Sequence, residues 1–227
     1  MQSGEIDLAA AIAAMLEVGV FTVLARPYHT TRGSKMTSLV ELIHRLHDGV
    51  FGMIERLTDG WFLGLFSRLV FAATLYVYYL NSAKTKIGDG PLGVFEVRDG
   101  AYIQIAGKAF EAAGYHVSAL PLPVHILVYA GTYGEIILPV LFILGLFARV
   151  GAVGMIVFII VQTHVDGTEH GVDLGTLFNG RPGDILDQRL FWCLPLVYVA
   201  IRGPGMVSLD SFLSRWWQGR AAGQPPA

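Results

Sequence analysis

The sequence predicts an all-α fold: a polytopic membrane four-helix bundle with an extra amphipathic, interfacial helical region at its N-terminus. Three observations carry that prediction. Hydrophobic residues make up 53% of the 227 and charged residues only 15%, against about 25% charged in an ordinary soluble domain. The mean hydropathy of +0.53 means more apolar surface than a soluble core of this size can hide. Apolar stretches recur at or near the length of about 20 helical residues that crosses about 30 Å of hydrocarbon.

Composition also excludes function classes. Sixteen Lys and Arg against 18 Asp and Glu give a net charge of −2, which lacks the basic footprint of a nucleic-acid binder. The single cysteine, Cys193, rules out an intrachain disulfide and reads as a packing residue. A thiol oxidoreductase needs two cysteines to pass a disulfide along.

The first segment, 1–60, is helical in pattern. Residues 6–25 are apolar and Ala-rich, but Glu5 and Asp7 precede them and Glu17 interrupts them. A secretory signal wants a basic start and an unbroken apolar run, so that reading fails. An interfacial or packed helix remains, beside an extra span that would carry Glu17 at a cost of about 2.5–3.5 kcal/mol. Further on, Leu39, Leu42, Ile43, Leu46, Val50, Met53, Ile54 and Leu57 recur at helical spacing, with Glu41, Arg45, Asp48, Glu55 and Arg56 opposite. Such a helix fits the inner membrane surface. His44 and His47 on it read as solvated.

The bundle is expected over 61–213. Its first span, 61–80, holds one charge, Arg68; the second, 122–147, holds one acid, Glu135. The third, 150–165, is short enough to need bilayer thinning or a snorkelling Arg149. The fourth, 185–201, needs Asp187 and Arg189 to pair among the outer headgroups. Between the first two spans lies a helical segment near 101–115, with Ile103, Ala106, Phe110 and Ala113 on one stripe; the Gly- and Asp-rich stretch 166–188 reads as an ordered loop. Residues 214–227 form a tail. If the spans alternate, nine basic residues fall with the termini and six opposite, Arg68 lying within a span. The positive-inside rule then places both termini in the cytoplasm.

Short motifs now carry a resemblance. KAFEAAG at 108–114, GEIILPVLFILGLFARVGA at 134–152 and RGPGMVSLDSFL at 202–213 resemble the DoxX-like membrane proteins: a helix ending in Gly, a span opening on Glu, a Gly-Leu-x-x-Arg turn, and a Gly-x-Gly…Ser-Leu-Asp ending. Where that family has a Gly before a Lys, this chain has NSAKTK at 81–86, with Ser82 in the Gly place and Lys84 as the expected Lys. The resemblance implies a four-helix bundle in a bacterial inner membrane. One branch is similar to the quinone-reducing subunit of thiosulfate:quinone oxidoreductase, which implies quinone as cofactor and sulfur-compound oxidation as a reaction class.

Glu135 is the leading chemical candidate, since an ionisable group at membrane depth is costly and faces the bundle interior. Pro139 lacks the N–H that would bond the Glu135 carbonyl, so a kink is expected there, with Tyr133 nearby. Glu135 is read either as a proton acceptor toward a quinone or as a structural carboxyl paired with Arg68 or a tyrosine. Tyr76 and Tyr129, with Arg68, are expected to shape a flat apolar slot for a quinone ring, while Tyr78 and Tyr79 suit the aromatic belt. His116, His125, His164 and His170 gather by topology on the outer face, where imidazoles and carboxylates suit a metal, or a haem between His125 and His164. Interfacial hydrogen bonding is the plainer reading of these histidines.

Beside an outer-face membrane protein that binds metal or haem through its histidines, two functions stand open from these residues. One is a redox-linked subunit, a quinone-linked oxidoreductase component, that exchanges electrons or protons with the quinone pool. The other is a non-catalytic assembly or anchoring subunit that holds a protein partner, or a second copy of itself, in the bilayer.

Overall fold

The computed structural model describes residues 35–90 and 92–222, with side chains over 40–90 and 92–220. The question of a span at 6–25 lies outside these residues, as does the end of the tail. The chain divides into two compact units at Ile54 and Glu55, and each is described by itself.

Helix α1, Lys35–Thr58, carries the stripe read from sequence. Leu42, Ile43, Leu46, Val50, Met53 and Ile54 on it are all exposed.

In the second unit, α2 (Phe62–Lys84), α4 (Leu122–Leu144) and α5 (Ala148–Thr168) are long and apolar enough to cross a membrane. With α6 (Ile185–Arg202) they complete the four-helix bundle. Helix α3 (Asp99–Ala112) packs on α4, and α7 (Leu209–Ala222) follows the bundle. Helix α5 packs on α4 and α6, and α2 packs on both of those as well. At 21 residues α5 needs no thinning of the bilayer. The helix between the first two spans runs Asp99–Ala112, two residues earlier in onset than expected, and buries Tyr102 rather than Ile103. Residues 171–184 carry no helix, as their Gly content predicts. Among the described residues there is no strand; Ile87 and Val97 make an isolated antiparallel bridge.

A π turn at Ala72–Tyr76 interrupts α2. Phe71, Leu75, Tyr79 and Ala83 are buried at four-residue steps. In an ideal α-helix three such steps drift by about 120°; the wider turn absorbs the drift and holds all four on one face. That register brings Tyr79 into the core and overturns its reading as a belt residue. The core joins Phe71, Leu75 and Tyr79 of α2 to Phe142, Met155, Ile159, Leu196 and Val199. Phe71 and Phe142 meet edge to face, with centroids 4.8 Å apart. Cys193 packs against this cluster.

Helix α4 continues through the buried Pro139. It stops at Gly145, whose φ of +68° is the left-handed C-cap that glycine adopts without strain. The Gly-Leu-x-x-Arg turn is held from both sides. Arg68 donates from Nη1 to the Ile143 carbonyl at 2.8 Å, and from Nη2 to the Val207 carbonyl. Asp210 accepts from the Phe147 and Ala148 N–H groups at 2.7 and 2.9 Å, capping the start of α5. Its own N–H donates to the Gly145 carbonyl at 2.8 Å. A positive side chain at one helix end and a negative one at the next helix start satisfy orphan backbone groups and oppose both dipoles. The motif residues are thus joined physically as one corner.

Candidate functional site: a buried ion pair in a cavity between four helices

Four residues beyond Ser82, the chain leaves α2 and Lys86 turns inward. Its backbone is pinned on both sides: its N–H donates to the Ala83 carbonyl at 2.9 Å, and its carbonyl accepts from Arg98 N–H at 2.9 Å. The ammonium then meets Glu135 of α4. Lys86 Nζ lies 3.1 and 3.0 Å from the two carboxylate oxygens, and the side chains are 4% and 7% exposed. Ser82 completes the cluster. Its hydroxyl accepts from Lys86 Nζ at 2.7 Å and donates to Glu135 Oε1 at 3.1 Å, while its carbonyl accepts from the same Nζ at 3.2 Å. A buried pair so fully hydrogen-bonded repays its desolvation, which a bare pair would not.

The triad lines a cavity of about 430 Å³ between α2, α3, α4 and α5. Apolar wall comes from Ile105, Leu127, Leu138, Val157, Phe158 and Val161. A second polar group faces the same space: Gln162 donates to the Tyr78 hydroxyl at 2.7 Å and accepts from Tyr79 at 3.4 Å. Gln104, Asp166 and His170 also line it. The stretch after α5 is tied to α3 there: Lys108 N–H donates to Glu169 at 2.9 Å, Lys108 Nζ to the Thr168 carbonyl, and His170 Nε2 lies 2.9 Å from the Gln104 carbonyl. Apolar walls with a few convergent polar groups, at this volume, are the ordinary form of a small-molecule site.

The sequence candidates divide. Glu135 is in the cavity wall, whereas Lys84 is exposed and Lys86 takes the position beside the acid. The expected register fails because NSAKTK continues past the helix end, where Lys86 Nζ folds back toward Ser82 instead of following the helix face. Arg68 is not the partner of Glu135; it holds the corner beyond Gly145. Tyr133 and Tyr129 stand against each other, centroids 6.2 Å apart, and neither they nor Tyr76 line the cavity. Tyr78 does. Sequence reasoning missed Lys86, Gln104 and Gln162. The available signal for Lys86 was its spacing of four from Ser82 at the end of a span, which fits a side chain reaching back along a helix.

The outer histidines do not converge. Among the described residues no three His, Cys, Asp or Glu side chains form a group that could hold a metal ion. His125 Nδ1 lies 2.8 Å from the hydroxyl of Tyr102, while His164 and His116 are exposed. Burial pushes the Tyr102 hydroxyl above the ordinary tyrosine range. Arg189 pairs with Asp166 of α5 rather than with Asp187, because its buried position turns it into the bundle.

The family model described as DoxX matches residues 63–165. Over these residues the chain carries a DoxX domain, and its three long helices are apolar enough to cross a membrane. No curated protein and no solved structure matches it. The DoxX segment runs from the start of α2 into the last turn of α5, so Ser82, Lys86, Glu135 and Gln162 all lie within it. Helices α6 and α7, including the Asp210 cap, fall outside the matched DoxX residues.

Proposed function

We propose that the cavity binds the headgroup of a membrane quinone and that the protein is a redox-linked subunit exchanging protons with the quinone pool. The observation that carries this is the Lys86–Glu135–Ser82 cluster in the wall of a mostly apolar cavity between helices long enough to cross a membrane. The fit is chemical: a quinone ring is flat and apolar with oxygens at opposite edges. Lys86 and Ser82 offer N–H and O–H donors at one polar patch, and Tyr78 and Gln162 offer them at another. A bound quinone would supply the two-electron, two-proton redox chemistry. For their part, Lys86 orients and electrostatically stabilises a ring oxygen, and the Glu135 carboxylate takes up and returns the exchanged proton, with Ser82 hydrogen-bonded to both.

The test is organic extraction and mass spectrometry of protein purified in mild detergent, followed by quinone-linked turnover with thiosulfate as the first donor tried. Quinone at near one per chain, lost in Lys86→Met, supports the reading. Its absence from protein isolated from quinone-replete membranes sinks it. The uncovered apolar stripe of α1 favours the second reading, an anchoring or assembly subunit. A constant protein partner without quinone would decide for that one.

The charge bias supports cytoplasmic termini, and the DoxX resemblance supports a bacterial inner membrane. In a Cys193→Ala background, a cysteine at Thr176 should react with an impermeant thiol reagent in spheroplasts and one at Gly219 should not. Labelling at Gly219 would reverse the orientation.

A further inference from the structure

We propose that the opposite end of the bundle, where α4 turns into α5, binds the phosphate headgroup of an anionic phospholipid. A second cavity, about 690 Å³, opens there, with Arg149, Arg202 and Arg215 in its wall. Arg149 stands in the first turn of α5, Arg202 ends α6 and Arg215 lies on α7, so three separate helices bring guanidinium groups to one space. Arg149 is packed toward the end of α6: its Nε and Nη2 stand 3.6 Å from where a Cβ on Gly203 would lie. Arg215 is steadied by bonds to the Ser211 and Met206 carbonyls, both 3.2 Å. Arg149 and Arg202 are exposed and have no hydrogen-bond or ion-pair partner among the described residues.

The one acid in that wall, Asp210, spends its hydrogen bonds on the α5 N-terminus and is outnumbered by the three arginines. The cavity therefore offers several free N–H donors and net positive charge. Forked guanidinium groups match phosphate oxygens better than they match any neutral ligand. The surroundings select a lipid over a free anion. Phe147 and Val150 share the cavity wall with the arginines. From there Val150, Val153 and Val157 on α5, and Ile201, Val197 and Leu194 on α6, are exposed along two spans. A phosphate in the cavity thus has apolar ridges beside it on which acyl chains can lie, as basic pockets at the ends of membrane helices do.

Native mass spectrometry of the full chain in mild detergent tests this, with phosphatidylglycerol or phosphatidylcholine added at equal concentration. Phosphatidylglycerol should be retained at least tenfold better. Arg149→Gln and Arg202→Gln should each lower its retention about five-fold, whereas Arg181→Gln, in the exposed loop at the other end, should leave it unchanged. The lipid comparison on the unmodified protein keeps the test decisive if either arginine variant fails to fold. A thermal melt supplies the other arm: phosphatidylglycerol should raise the melting temperature where 10 mM inorganic phosphate does not. Equal retention of the two lipids, undiminished binding in both arginine variants, or equal stabilisation by inorganic phosphate would each overturn the proposal.

Discussion

Replacing Lys86 by Met removes one charge from a pair whose side chains are only 4% and 7% exposed. Glu135 then keeps a hydrogen bond from Ser82 but loses both contacts from the ammonium, at 3.1 and 3.0 Å. Breaking such a pair from one side costs about 3–5 kcal/mol, because the remaining charge is stranded away from water. For a chain of this size that corresponds to a melting temperature lower by roughly 10 °C. Glu135→Gln strands Lys86 in the same way. The double variant Lys86→Met/Glu135→Met removes both charges and should recover most of the stability, a coupling of at least about 2 kcal/mol in a double-mutant cycle. The deficit of Lys86→Met should also shrink as pH falls, since adding a proton to the stranded carboxylate cancels its charge. The assay is thermal unfolding of purified protein in one detergent, across pH 5–8, for all four members of the cycle. Additive losses, with the double variant as unstable as the two deficits combined, would refute the ion pair as the source of the stability.

Other outcomes follow from the corner between α4 and α5. Asp210→Ala deprives the Phe147 and Ala148 N–H groups of their acceptor and should cost about 1–2 kcal/mol in the same melt. Gly145→Ala meets both a φ of +68° and a Cβ placed 2.7 Å from Ser208 Cβ and 2.9 Å from Arg68 Nη1. It should destabilise by more than about 1 kcal/mol, and a neutral result would mean the corner relaxes freely. Tyr102→Phe removes the hydroxyl 2.8 Å from His125 Nδ1 and should cost about 1 kcal/mol. The same change should leave quinone retention intact, because neither residue lines the cavity. Loss of quinone in that variant would extend the site to Tyr102 and His125.

Sequence by itself determined the all-helical membrane class, because 53% hydrophobic and 15% charged residues leave helices in lipid as the stable solution. It also singled out Glu135, since an acid inside an apolar run is conspicuous whatever the fold. It marked the Gly145 turn and the Ser-Leu-Asp ending as related motifs, but not that Arg68 and Asp210 bind them into one corner. Partners were decided only in three dimensions. Lys86 lies 49 residues from Glu135, and no helical period connects them. The resemblance pointed to Lys84, and the residues to Arg68 or a tyrosine as the acid's partner, yet the chain's turn after α2 brings Lys86 to the acid. The π turn, which no local spacing rule encodes, fixed the α2 register and took Tyr79 inward. The histidines show the reverse error. Topology placed four on one side, but coordination needs side chains within a few ångströms, and helix rotation gave His125 to Tyr102 while leaving His164 exposed. Periodicity reports which face of a helix is apolar; which residue meets which across helices depends on rotation and packing, and only the assembled bundle sets those.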